Sequence, residues 1–203
     1  MSTTTVLPPQ KSAPGKTFAR KVTDYLEPKN WILLDVVLIG LVVDGWAGLG
    51  WGLLGALFAA VLPIWFIKRG IRRDQWNDRH VGQRQKRLIV MAFIITSVAV
   101  GIALLAVLGA PRPITALIVS MLTTLTALMA VTPMWKISVH GAVSSGSVLL
   151  IALACGWWAL ALYPLVILVG WSRVALRDHT RNQVIAGALV GAIVAAATYI
   201  PLH

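Results

Sequence analysis

Acidic residues are scarce in this chain: seven Asp and Glu stand against eighteen Lys and Arg in 203 residues, and charged residues of both signs reach only 12%. Soluble domains carry about twice that share, so water is not the main solvent here. Cysteine is nearly absent. Cys155 has no partner for an intramolecular disulfide and lies in an apolar run, where a buried, inert thiol is expected. The first thirty residues have no apolar stretch resembling the h-region of a signal peptide, and nothing in them suggests cleavage. Strict alternation of polar and apolar residues is also missing, which excludes an outer-membrane β-barrel.

What is present is apolar sequence, with 58% hydrophobic residues against roughly 45–50% in soluble domains. Seven apolar segments occur, over about 31–45, 48–67, 88–108, 113–131, 141–155, 158–176 and 183–200. Several approach the ~20 residues that cross a bilayer as a helix, while the first and fifth are short. The breaks carry turn chemistry: Asp44-Gly45, Pro111-Arg112-Pro113, Gly156 before two tryptophans, and Asp178-His179-Thr180. The fold class is therefore all-α, a polytopic membrane helical bundle of about six to seven transmembrane segments. Residues 1–30, with Pro8, Pro9, Pro14 and Pro28 among polar and basic residues, read as a flexible basic tail with an interfacial stretch around 18–26. Residues 31–203 form the membrane domain.

Alternating crossings put the tail, the loop 68–87, the stretch 132–140 and the stretch 172–182 on one face. That face collects seventeen of the eighteen Lys and Arg residues, leaving Arg112 alone opposite. The positive-inside rule makes the basic face cytoplasmic. Trp31, Trp65, Trp135 and Trp171 fall near that face, and Trp46, Trp51, Trp157 and Trp158 near the other, as an aromatic belt requires. The Gly48-x3-Gly52 and Gly187-x3-Gly191 spacings suit close helix packing within the bundle. Asp35 is an acid inside the first segment, expected to take an internal hydrogen bond or a cation partner, and Asp44-Gly45 reads as an interfacial turn.

Three polar stretches distant in sequence thus converge on one surface: a loop with Arg72, Arg79 and Arg84, a turn with Lys136, Ser138 and His140, and the junction from Ser172 to Gln183. Several cations, a hydroxyl and two histidines at the mouth of a helical bundle suit a phosphate carried by a membrane-held lipid. Independently, Thr180 followed three residues later by Gln183 is a capping box. It starts the last helix just after His179 and turns the positive helix end toward any phosphate there.

The spacing of these stretches resembles the type 2 phosphatidic acid phosphatase (PAP2) superfamily, whose motifs are Lys-x6-Arg-Pro, Pro-Ser-Gly-His and Ser-Arg-x5-His-x3-Asp. The third motif matches best: Ser172-Arg173, five residues, His179, three residues, then Gln183 in place of aspartate. The second is present as Ile137-Ser138-Val139-His140. For the first, Arg72 and Arg79 have the right separation, with arginine for lysine and His80 for proline, while Lys68, Asp74 and Arg84 compete within the same loop. The resemblance spans about residues 68–191.

It implies a divergent membrane phosphatase in which His179 is the nucleophile that becomes phosphohistidine, and His140 protonates the departing lipid oxygen and then activates water. Lys136, Ser138 and Arg173, together with Arg79 or Arg84 and with Arg72 or Lys68, would hold the phosphoryl oxygens. No metal and no cofactor are implied, and the basic face lacks a carboxylate cluster of the kind that holds magnesium. Gln183 either caps its helix or accepts the Nδ1 proton of His179, and a neutral amide can orient the histidine without stabilising its cation. A nearby acid, Asp178 or Asp74, is the compensation available.

The expected activity is a metal-independent phosphoric monoester or diphosphate hydrolase acting on an isoprenoid phosphate or diphosphate, or on a phosphatidate-type lipid. The lean is toward isoprenoids, because little near the site reads a glycerol headgroup. The expected partners are the lipid phosphate and membrane lipids, without nucleic acid, in the cytoplasmic membrane; the sequence leaves the oligomeric state open. Two alternatives use the same residues: a phosphotransferase that passes the phosphate to another lipid or sugar, and a non-catalytic lipid-phosphate binder or transporter with a degenerate site.

Overall fold

Helix α1 (Pro14–Tyr25) begins inside the stretch expected to be a flexible tail, because Ala19, Val22 and Thr23 recur on one face and are buried. That face packs across a later helix, α7 (Tyr163–Ala175): the rings of Phe18 and Trp171 lie 5.8 Å apart, and the hydroxyls of Thr23 and Ser172 are 2.9 Å apart. The computed structural model describes residues 14–72 and 84–203, and among them every regular element is helical.

Helix α2 (Pro28–Ala56) opens with proline at its first turn and is broken at Asp44 and Gly45, where the backbone leaves helical geometry. Gly45 takes φ +54, a left-handed value that costs glycine little. The chain reverses there. Gly48 lies on the backbone of Gly40 and Gly52 on Val36, with no room for a Cβ, so residues 46–56 run back antiparallel to 28–43. The two apolar segments expected over 31–45 and 48–67 are thus the arms of a helical hairpin.

The returning arm continues through a π-helical turn, Leu57–Val61, into α3 (Leu62–Arg72). Pro63, which has no N–H to donate, follows this widened turn. The Ser97 hydroxyl donates to the Phe58 carbonyl at 2.8 Å, satisfying a backbone group that a bilayer would leave bare. Ser97 belongs to α4 (Arg84–Leu108), which runs antiparallel to α3, with Phe66 and Phe93 stacked 3.9 Å apart. Helix α5 (Arg112–Val131) then returns the chain, starting with proline inside its first turn.

Helix α6 (Val139–Cys155) and α8 (Arg181–Leu202) are parallel and form the closest pair in the bundle. Gly187 sits on the Ser138 carbonyl and Gly191 on the backbone of Ala142, so the second Gly-x3-Gly spacing packs inside the bundle. A 3-10 turn, Trp157–Leu162, and α7 provide the antiparallel return between them. Among the described residues, five helical stretches are long and apolar enough to cross a membrane; one of them, Gly15–Gly70, contains the hairpin, and α6 is a shorter apolar helix.

This alternation gathers residues 26–30, 68–72, 132–138 and 176–181 at one end of the bundle. Trp46, Trp65, Trp135, Trp157, Trp158 and Trp171 are exposed near the two ends as a belt requires. Trp31 departs from the belt: it is buried against Val148 and Val166.

Candidate active site

The turn before α6 has its own logic. Ser138 is the N-cap, its hydroxyl oxygen accepting the Gly141 N–H at 3.3 Å, while its own N–H donates to the Gln183 carbonyl at 3.2 Å. The second bond ties the starts of α6 and α8 together. Because glycine at 187 lets α8 lie on the Ser138 carbonyl, the two helix N-termini open at the same level and their positive ends converge.

His179 sits just ahead of α8 in a turn that also holds Arg177, which has a left-handed φ of 59. The N–H groups of Asp178 and His179 both donate to the Arg173 carbonyl, at 3.1 and 3.3 Å, so this turn folds over the end of α7. The imidazole Nδ1 of His179 is 3.1 Å from the Lys136 carbonyl oxygen. A carbonyl only accepts, so Nδ1 carries a proton, and in the neutral ring the lone pair is then on Nε2.

Gln183 does something else. Its Oε1 accepts the Thr180 N–H at 3.1 Å and its own N–H donates to the Thr180 hydroxyl at 3.4 Å, completing the capping box. Of the two roles left open for Gln183, the side chain takes the cap, and the Lys136 backbone takes the histidine. Sequence spacing does not reveal this partner, since every residue offers a carbonyl and only the fold selects one.

Arg173 is almost wholly buried, with its Nη2 3.0 Å from Asp178 Oδ2. A buried guanidinium needs such a partner, so Asp178 pairs with the arginine while His179 turns to Lys136. Arg173, Asp178, His179, His140 and Lys136 all line one cavity of about 560 Å³, with Lys68 and the ion pair of Lys29 and Glu27 at its rim. From this polar mouth the cavity runs between α2, α3, α4, α5 and α6, past Ile32, Ile64, Ile94 and Leu150. Charge at one end and mostly apolar side chains along the rest match the polarity profile of a lipid phosphate.

The remaining expected residues are placed differently. Ser138 is fully buried behind the cavity wall as the N-cap, and Gln183 stands behind His179 in its cap. Arg72 is exposed at the end of α3 and Arg84 is the first residue of α4, while Arg79 and Asp74 lie outside the described residues. The cavity also brings in two residues that lie outside the three motifs. Asp35 accepts the Ser147 hydroxyl at 2.7 Å, deep between α2 and α6.

Compared with protein families, residues 107–202 match the model of the PAP2 superfamily. This region contains α5 to α8 and with them His140, Arg173 and His179; the loop with Arg72, Arg79 and Arg84 precedes it. No curated protein and no solved structure matches the chain.

Proposed function

From the premise that the chain belongs to the PAP2 superfamily, whose activity is of the phosphatase type on phosphate esters, we propose that it is a multi-pass membrane phosphatase that removes phosphate from a lipid. The substrate class is an isoprenoid phosphate or diphosphate, or a phosphatidate-type lipid, and the reaction passes through a phosphohistidine. The observation that carries this reading is the shared cavity, in which His179, His140 and buried Arg173 face an apolar channel.

The lipid tail enters between the helices and the phosphate rests against Arg173 and Lys136, close to the converging N-termini of α6 and α8. His179 Nε2 attacks phosphorus, its ring held by the bond from Nδ1 to the Lys136 carbonyl. The phosphorus–oxygen bond to the lipid breaks, and His140 donates a proton to the departing oxygen. The same His140 then takes a proton from water, which attacks the phosphohistidine, releasing inorganic phosphate and restoring His179. Arg173 neutralises charge on the non-bridging oxygens, and Asp178 keeps the guanidinium in place. The excess of cations at the site's end of the bundle supports a cytoplasmic orientation of this chemistry.

Phosphate release by detergent-purified protein, measured on prenyl phosphates, prenyl diphosphates and phosphatidate with and without a chelator, tests the reading. Chelator-resistant release that disappears in His179→Ala is the expected result. Release that survives in His179→Ala, or none from any lipid, overturns it.

A further inference from the structure

The charged mouth accounts for the phosphate, but not for the polar residues that line the cavity farther in. Asp35 is fully buried in the middle of an apolar helix, lines the cavity, and holds one partner: the Ser147 hydroxyl on Oδ2. Its second oxygen, Oδ1, has no hydrogen-bond partner among the described residues. Ser120 and Thr124 of α5 line the same stretch. A buried polar atom left unmatched costs about 1–3 kcal/mol, and a link between α2 and α6 alone needs only the oxygen already engaged. The free oxygen is therefore the feature that calls for a ligand.

Its depth says which part of a ligand reaches it. Ser147 lies two turns beyond His140 on α6, about 10 Å farther from the mouth at 1.5 Å per residue. A lipid whose phosphorus sits at His179 brings the junction between headgroup and hydrocarbon to that level. We propose that Asp35, supported by Ser147, is a second binding site in the cavity that hydrogen-bonds an oxygen function, hydroxyl or ester, at that junction of the lipid. The inference rests on the lipid-phosphatase reading and narrows it: lipids oxygenated near the headgroup satisfy Asp35, whereas a prenyl chain lays hydrocarbon on it. The sequence-based lean toward isoprenoids is thereby reversed.

The test compares kcat/KM for dioctanoyl phosphatidate and farnesyl phosphate in the intact protein, Asp35→Asn and Asp35→Leu. The expected result is a preference for the phosphatidate that falls about tenfold in Asp35→Leu, the worth of one hydrogen bond, and that Asp35→Asn largely keeps. Equal loss on the two substrates marks Asp35 as a packing residue and overturns the proposal. A binding arm is independent of catalysis and of whether Asp35→Leu folds: the thermal midpoint of the wild-type protein is followed with dioctanoylglycerol and with farnesol, neither of which carries phosphate. Greater stabilisation by the diacylglycerol supports the site even if no lipid is hydrolysed; equal stabilisation overturns it even if phosphate is released.

Discussion

His179 Nδ1 lies 3.1 Å from the carbonyl oxygen of Lys136, so a backbone group on the α5–α6 turn orients the imidazole ahead of α8. This relationship changes what the glutamine at position 183 means. The third-motif pattern has an acid there to hold the histidine; in this chain the histidine is held from the other side, and Gln183 is free to cap α8.

Substitution of Gln183 distinguishes these roles. Gln183→Ala should cost about 1 kcal/mol of stability through the lost cap and leave kcat within a few fold, and Gln183→Glu should keep stability and activity. Thermal unfolding in detergent read beside phosphate release checks this. A hundredfold loss of kcat at unchanged stability would return Gln183 to the histidine.

The proposed division of labour between the two histidines has a leaving-group signature. His140→Ala should slow release from a lipid phosphate by roughly 10²–10⁴-fold, the usual worth of a general acid–base. With a p-nitrophenyl ester, whose leaving group departs without a proton, the formation of phosphohistidine should be nearly restored, whereas His179→Ala should fail on every ester. Rapid-mixing measurement of the nitrophenolate burst reads the first step alone.

Arg173 is a buried fork paired with Asp178, and lysine does not reproduce a fork. Arg173→Lys is expected to lower kcat/KM by about 10²-fold or more, with a smaller effect on the melting temperature. A loss of stability that fully accounts for the lost activity would reduce Arg173 to a structural ion pair.

The seam between α6 and α8 is predicted to be the least tolerant part of the molecule. Gly191→Val would drive a side chain into the Ala142 backbone, and Gly187→Val into the Ser138 carbonyl. Each should cost at least about 3 kcal/mol, the upper range of overpacking. Both should lower the yield of monodisperse protein, whereas Gly50→Ala, where a Cβ meets open space, should be silent.

Orientation in the membrane is open to direct measurement. In a Cys155→Ala background, single cysteines at Arg177 and at Gly109 lie at opposite ends of the bundle. In intact cells, a membrane-impermeant maleimide should label the cysteine at 109 and spare the one at 177. The reverse pattern would place the site on the outer face.

Much of the architecture was legible in the chain itself. The apolar segment lengths, the turn chemistry at Asp44-Gly45 and Gly156, and the crowding of cations on alternate loops are local properties, and the bilayer imposes one solution on them: helices that alternate in direction. Spacing also brought His140, Arg173 and His179 to attention, because three stretches separated by even numbers of crossings must share a face. The helix from Pro14 and the burial of Trp31 were not legible, since each depends on which neighbour covers it.

The sequence by itself determined a helical membrane protein with nearly all its cations, His140 and His179 at one end, because hydrophobic length and charge asymmetry act through the solvent and need no knowledge of partners. Only the tertiary structure decided that the Lys136 carbonyl, not residue 183, holds His179, that Arg173 takes Asp178, and that Asp35 meets Ser147 beside a lipid-sized cavity. These are choices among many chemically equal donors and acceptors. They are settled by the close parallel seating of α8 on α6 and by the packing of the first arm of the α2 hairpin, which holds Asp35, against α6.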